Sequence, residues 1–369
     1  MIDPNKIVLL LRKLGITNFF GVPDSNLKYF INLLDKNKKK HFVCTNEGAA
    51  VSMAIGSYLS TKKISAVYLQ NSGLSNALNP LLSIAHSKVY SIPLLLIIGW
   101  RGSPGSDDEP QHLVKGKITP ALLKLAGIKT CILNTENDFK KLRSIIKFSK
   151  NKKVPVATLI RNNNLLKTKN QNSLSKNLKK LDICRNDIIN ELCDQLKKKT
   201  YIVSNTGYAS RELSETLKIK KKKNIKPFYM IGGMGHTAMV ALSNAINKKM
   251  NDTICLDGDG SLIMHLGSLV SSGNIGLKNF KHILVNNFQH DSVGGQASNV
   301  EKVTFTKLAK YCGYKKILIC SKKKDLKKKI ELLINSKSLT FLEIRAYTNT
   351  FKNLSRPKNF FKIKKEFME

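Results

Sequence analysis

Two acids followed, after 25 intervening residues, by two amides are the side chains of this 369-residue chain best suited to chemistry. Asp257-Gly258-Asp259-Gly260 follows the run Thr253-Ile254-Cys255-Leu256, and Asn286-Asn287 follows His282-Ile283-Leu284-Val285. Short apolar runs bounded by turn residues read as buried strands. The pattern predicts a strand, an acidic glycine-rich turn, a helix from Leu262 to about Val270, and a second strand ending at the Asn pair. Both polar groups then fall at carboxyl ends of strands, where open α/β sheets bind ligands. Glycines lack a Cβ and let a backbone come close to a phosphate. Asp259 and Asn287 offer hard oxygens that suit a Mg²⁺ shared with a diphosphate. DG and NN are also common turn dipeptides, and either half alone would carry little weight. Both halves at this spacing, each behind a strand, carry a good deal.

The elements that must position these residues are legible as two series. In the first half, Phe19–Val22 leads into Pro23-Asp24-Ser25-Asn26, and Ala66–Leu69 leads into Gln70-Asn71-Ser72-Gly73. Ile92–Ile98 leads into Gly99-Trp100-Arg101-Gly102. Each run is nearly all apolar and ends in a polar turn, as a parallel sheet buried on both faces requires. Val154–Ile160 reads as the last strand of this half. Residues 162–181 are rich in Asn, Lys and Ser and mark a linker. The second half opens with a helix near Asp187 and a strand Tyr201–Val203 before Ser204-Asn205-Thr206-Gly207. At the N-terminus, Asp3 and Pro4 read as the N-cap and first position of an amphipathic helix. The basic, Phe-containing segment from Arg356 reads as a loosely packed tail. Gly233-Met234-Gly235-His236-Thr237-Ala238 fits the G-x-G-x-x-A form of a dinucleotide loop, but the strand expected before it is poor.

Composition excludes several function classes. The net charge of +38 suggests nucleic acid, yet Arg, the preferred base reader and phosphate fork, makes up 8 of the 63 basic residues. The Lys-, Asn- and Ile-rich bias is what an AT-rich genome would produce, so no nucleic-acid partner is expected. The seven cysteines form no CxxC pair, which argues against a disulfide framework or cluster and for a reducing cytoplasm. No apolar run reaches membrane-spanning length, and no membrane partner is expected.

The paired motifs resemble the binding signature of thiamin-diphosphate enzymes, a GDG followed at this distance by NN. The resemblance implies Asp259, Asn287 and the carbonyl of Gln289 as Mg²⁺ ligands. It also implies a glutamate from a separate domain that shares a proton with the cofactor's aminopyrimidine. Glu47, in Thr45-Asn46-Glu47-Gly48-Ala49-Ala50 behind the strand-like His41–Cys44, fits that place. A helix-N-terminal acid held by the macrodipole is the alternative reading of Glu47. The family places a bulky apolar residue under the bent cofactor where Met234 stands, and we read the Gly233–Ala238 stretch that way rather than as a dinucleotide loop.

Longer segments narrow the resemblance. Gly21–Ser25 (GVPDS), Gln70–Pro80 (QNSGLSNALNP), Ile98–His112 (IGWRGSPGSDDEPQH), Asn205–Leu213 (NTGYASREL) and Asn286–Gln296 (NNFQHDSVGGQ) are similar to the phosphonopyruvate decarboxylase family. Sulfopyruvate decarboxylases are near relatives. Phe288-Gln289 and Asn205 depart from the residues usual at their positions. The implied fold is α/β, two doubly wound parallel-sheet domains of the thiamin-diphosphate-binding fold. A pyrimidine-binding domain would span 1–165, a linker 166–184 and a diphosphate- and Mg-binding domain 185–369. The third domain common in thiamin decarboxylases has no room here. Implied cofactor contacts are Glu47, Asn71, Gly207, Gly233, Met234, Gly258, Asp259, Gly260, Ser261 and Asn287. Implied catalytic residues are Glu47, Asp24, His112 and His290, the histidines because imidazole titrates near neutral pH. Ser25 and Arg101 are the candidates for gripping a phosphonate. The implied reaction is non-oxidative decarboxylation of 3-phosphonopyruvate or another small anionic 2-oxo acid, by a homodimer or larger homo-oligomer.

Overall fold

The computed structural model describes residues 1–35, 40–168, 181–348 and 354–369. The chain divides into two compact units, Met1–Ser173 with Ser292–Gln296, and Leu174–Asp291 with Ala297–Glu369. The linker expected over 166–184 lies largely outside the described residues. Of its described part, Leu166 N donates to the Ile2 carbonyl at 2.9 Å in the first unit, and Ile183 is buried in a core of the second.

In the first unit six strands form one parallel sheet: β1 (Phe19–Gly21), β2 (His41–Val43), β3 (Ala66–Gln70), β4 (Leu95–Trp100), β5 (Lys129–Leu133) and β6 (Val156–Arg161). Their spatial order is β2-β1-β3-β4-β6-β5. The second unit repeats the plan with β7 (Thr200–Ser204), β8 (Ile225–Tyr229), β9 (Asp252–Gly258) and β10 (Phe280–Asn286). The short strands β11 (Gln289–His290) and β12 (Gln296–Ala297) pair only with each other, and β13 (Lys316–Cys320) and β14 (Thr340–Arg345) complete the second sheet. Its order is β13-β14-β10-β9-β7-β8. Counted within each unit, both sheets read second, first, third, fourth, sixth, fifth. In both, the direction of winding reverses between the first and third strands, the crevice where such sheets take ligands.

Side chains alternate across a strand, so continuous apolar runs feed two cores at once. Phe19, Tyr68, Leu95 and Ile97 fill one face of the first sheet, and Phe20, Val67, Leu69, Leu96 and Ile98 fill the other. Ile202, Ile254, Leu256 and Ile283 face one side of the second sheet, and Val203, Cys255 and Leu284 the other. Burying each such aliphatic side chain stabilises by about 1.5–3 kcal/mol. No helix among the described residues is long and apolar enough to cross a membrane.

Three expectations need correction. Strand β9 runs through Asp257 and Gly258, and a helix begins at Asp259, so no separate turn lies between them. The single helix expected from Leu262 to Val270 is two, Asp259–Met264 and Ser268–Ile275. They are broken at His265, which leaves helical angles and stacks on His236 at 4.6 Å. The C-terminal segment is no loose tail: Phe360–Met368 is a helix capped by Asn359 and packed beside edge strand β8. Ile363 and Phe367, four residues apart, share a face. The Phe367 ring meets Tyr201 at 5.2 Å and Phe228 at 5.4 Å. Lys248 donates to the Met368 carbonyl and Lys199 to a backbone oxygen of the C-cap Glu369, the end where cations suit the dipole. A covered edge cannot pair with another chain. Phe367→Ala should therefore lower unfolding free energy by on the order of 2 kcal/mol, measured by urea unfolding; an unchanged midpoint would show that the helix is not docked in solution.

Candidate active site

Each sheet gathers polar side chains at its strand ends. In the first unit, β1 leads to Asp24, which is fully buried. Its Oδ1 accepts from Gln70 Nε2 at 2.7 Å, and Oδ2 has no hydrogen-bond partner. A Cβ on Gly99 would lie 1.8 Å from that oxygen, so the glycine is what admits the carboxylate. Burial pushes the Asp24 carboxyl above the usual carboxylate range, against the lowering effects of Gln70 and Arg101.

Arg101, after β4, forms a fork with Asp108, Nε to Oδ2 at 2.7 Å and Nη2 to Oδ1 at 2.5 Å. Its Nη1 also donates to Ser25 Oγ at 3.2 Å. Its charge is thus already compensated within the unit. Asn71 is spent on bracing: its side chain binds the Arg101 backbone through both Nδ2 and Oδ1, and Nδ2 also donates to Thr119 Oγ1.

Glu47 opens the helix Glu47–Thr61 behind Asn46, whose Oδ1 accepts from Ala49 N at 2.8 Å. Its carboxylate is 5% exposed and accepts from Asn76 Nδ2 at 2.8 Å. Gly73 leaves the room it occupies, since a Cβ there would come within 1.9 Å of Oε1. Desolvation raises the Glu47 pKa, partly offset by Asn76 and by Lys115.

The second unit holds the GDG and NN residues together. Asp259 is 2% exposed, and Oδ2 accepts from Ser298 Oγ at 2.5 Å. The backbone amides of Gly260 and Asn287 also stabilise its charged form, yet burial still lifts its pKa to about 7. Asn287 Oδ1 accepts from Gln289 N at 3.2 Å, which places Gln289 beside the pair. Phe288, between them, takes a left-handed φ of 60°. Asn286 turns away and donates to Glu343 at 3.0 Å. Asp257 also turns away, into a buried group with Cys255 and His282 whose ligating atoms lie within 4.8 Å of one another.

Around Asp259 the glycines admit neighbouring side chains. A Cβ on Gly258 would lie 3.1 Å from Asn205 Nδ2, and one on Gly260 would lie 2.7 Å from the His290 ring. Met234 Cε reaches to 3.5 Å of the same Gly260 position, and Ser261 Oγ accepts from Gly235 N at 3.0 Å. Gly207, at φ 83°, precedes the helix Tyr208–Lys220, and Gly233 closes a turn onto the Met230 carbonyl. The strand β8 and helix Thr237–Asn247 give Gly233–Ala238 the strand–loop–helix setting that the sequence left doubtful, but at the sheet's edge.

The histidines differ from expectation. Burial lowers both His112 and His290 to a pKa of about 4, with Arg101 and Lys115 adding to the effect at His112. Both are neutral near pH 7, and each has a ring nitrogen, Nδ1 of His112 and Nε2 of His290, with no hydrogen-bond partner. Buried polar atoms are normally paired, and these two nitrogens are free to take a further hydrogen bond. The residues fit a divalent cation: Asp259 is a buried carboxylate whose donors are all neutral, and such an ion would supply the charge it lacks. Sequence reasoning missed Ser298, Asn76 and Asp108. Asp108 lies only seven residues from Arg101, whereas Ser298 has no local signal linking it to Asp259.

Two family models match the chain. The N-terminal TPP binding domain of thiamine pyrophosphate enzymes covers residues 5–125, and the C-terminal TPP binding domain covers residues 205–344. The chain belongs to the thiamine pyrophosphate enzyme family. Within it, the chain is 30% identical to the phosphonopyruvate decarboxylase of Streptomyces viridochromogenes over 97% of its own length and 92% of the relative's. It is also 30% identical to the phosphonopyruvate decarboxylase of Streptomyces hygroscopicus, over 97% and 91% of the two lengths. The sulfopyruvate decarboxylase subunit beta of Methanocaldococcus jannaschii is 36% identical over 35% of this chain and 66% of that subunit.

The raised pKa of Asp259 has a signed consequence. An unfolded Asp titrates near 3.9, so relative to high pH this group favours the fold below about pH 4, and that stability is lost as pH rises to about 7. Without metal, the penalty at pH 8 reaches about 4 kcal/mol. Asp259→Asn should unfold at a higher temperature than wild type at pH 8, with the gap closing by pH 5, while it loses Mg²⁺-dependent cofactor binding. Identical pH dependence of unfolding in the two proteins would contradict the burial of this carboxylate.

Proposed function

We propose that the protein is a thiamin-diphosphate- and Mg²⁺-dependent carboxy-lyase that converts 3-phosphonopyruvate to phosphonoacetaldehyde and CO₂. The observation that carries the reading is the buried Asp259 beside Asn287 and Gln289, in a chain similar to phosphonopyruvate decarboxylases over nearly their whole length. When bound, thiamin diphosphate supplies the electron sink that makes loss of CO₂ from a 2-oxo acid feasible. The chain's own residues do the rest. Asp259, Asn287 and the Gln289 carbonyl hold the metal, and Gly258, Gly260, Ser261 and Gly207 let the backbone approach the diphosphate. Met234, whose Cε lies 3.5 Å from where a Gly260 Cβ would stand, is the apolar residue that would support the cofactor, with Gly233 beside it.

Glu47, whose carboxyl burial pushes up, is the acid that would share a proton with the aminopyrimidine ring. Asn71 acts through the Arg101 backbone it braces. Asp24 Oδ2 and the unpartnered nitrogens of neutral His112 and His290 are the places where protons move. Arg101, oriented by Asp108, and Ser25 form the polar edge for the substrate's anionic end. We further propose a homodimer or larger assembly in which Glu47 of one chain and Asp259 of another serve the same cofactor. The seven free thiols suit a reducing, cytoplasmic setting.

Incubating the protein with thiamin diphosphate, Mg²⁺ and either 3-phosphonopyruvate or sulfopyruvate, then identifying the aldehyde, tests the substrate. Phosphonoacetaldehyde is expected; preferential turnover of sulfopyruvate would transfer the assignment to that relative's chemistry. Glu47→Gln should bind cofactor yet slow hydrogen–deuterium exchange at its thiazolium carbon by roughly 10²–10⁴-fold. An unchanged exchange rate would reduce Glu47 to a helix-start acid.

A further inference from the structure

One motif in the chain is used by none of the roles above. Glu212, in the segment Asn205–Leu213, is 1% exposed and lies on the helix Tyr208–Lys220 that starts directly after Gly207. Its partner is Arg185, the first residue of the helix Arg185–Gln195, itself buried. The guanidinium forks onto the carboxylate, Nε to Oε2 at 3.1 Å and Nη2 to Oε1 at 2.9 Å. The same guanidinium reaches a second acid: Nη1 and Nη2 approach Asp291 Oδ2 at 3.3 and 3.4 Å. Tyr208 lies against it as well, its ring centroid 5.4 Å from the Arg185 Cζ.

Placement in the sheet gives this cluster its meaning. Strand β9, which delivers Asp259, is flanked by β7 and β10. Glu212 and Tyr208 belong to the helix that follows the β7 loop, Asn205–Gly207. Asp291 follows Gln289 and His290 in the loop after β10. Arg185 therefore ties the helix that follows the β7 loop to the segment after β10, the elements on either side of Asp259. Its grip is unequal, with two matched bonds to fully buried Glu212 and longer contacts to a single oxygen of Asp291, whose side chain is 19% exposed. Glu212 is the anchor and Asp291 the held end. A planar guanidinium can serve both acids at once, which the point charge of a lysine cannot.

We propose that Arg185 is a positioning residue for the metal end of the site. By holding Asp291 against Glu212, it fixes where the Gln289 carbonyl and His290 stand relative to Asp259. The inference rests on the cofactor reading given above, and residues that orient metal ligands typically change metal affinity without touching the ion.

The test uses the full-length protein and titrates Mg²⁺ at fixed thiamin diphosphate, following cofactor binding by calorimetry, with thermal unfolding measured without ligands. Asp291→Asn, at the more exposed end of the cluster, should raise the Mg²⁺ half-saturation on the order of 10-fold while leaving the ligand-free unfolding midpoint in place. Arg185→Lys should shift half-saturation in the same direction, and the double variant should be no worse than the worse single. Unchanged half-saturation in Asp291→Asn, or a loss matched by a fall in its ligand-free midpoint, would overturn the proposal. Wild-type protein that binds the cofactor without regard to Mg²⁺ would instead overturn the reading beneath it.

Discussion

A carboxylate removed from water needs a compensating charge, or it takes up a proton. Asp259 is in that position, 2% exposed, with only hydroxyl and backbone donors around it and a pKa of about 7. The second unit's site is organised around this one imbalance. Gly258 and Gly260 clear space near it, Asn287 turns an amide toward it, and Ser298 arrives from 39 residues away to donate to it. A fold selected for stability alone would have an apolar residue or a paired base there. A divalent cation beside this carboxylate would relieve the imbalance and so couple its binding to the stability of the unit.

The first unit places its own carboxylates under the same stress. Glu47 and Asp24 are buried, both with raised pKa values, and each is admitted by a glycine on a neighbouring element, Gly73 and Gly99. The common strand order explains why such groups recur. After the first strand come Asp24 in one sheet and Asn205 in the other. After the third come Gln70 and Asn71, or Asp259; after the fourth come Arg101, or Asn287. One winding plan thus yields two polar crests, one carrying Asp24, Gln70, Asn71 and Arg101 and the other Asn205, Asp259 and Asn287.

Much of this was legible in the sequence because parallel strands buried on both faces leave unbroken apolar runs that end in polar turns. That pattern located β1, β3, β4, β7, β9 and β10, with β9 and β10 running one or two residues further into their polar groups than the apolar runs do. Strand β5, with Lys129 and Thr130 at its start, and β8, with Lys226 and Pro227 inside it, lie at sheet edges where apolar continuity is not required. The C-terminal helix hid because a two-residue stripe, Ile363 and Phe367, among lysines looks like a basic tail. The break at His265 reflects a long-range stack with His236 that no local rule encodes. Burial sets what residue type does not announce: desolvation takes His112 and His290 well below the usual imidazole range.

That the two sheet types supply complementary halves of one site, on different chains, is tested most directly by mixing two inactive proteins, Glu47→Gln and Asp259→Ala. In a heterodimer one site carries both defects and the other neither. Equal mixing makes half the dimers mixed, so decarboxylation should return to roughly a quarter of the wild-type rate. No recovery, after subunit exchange has been verified, would mean that Glu47 and Asp259 of a single chain serve the same cofactor.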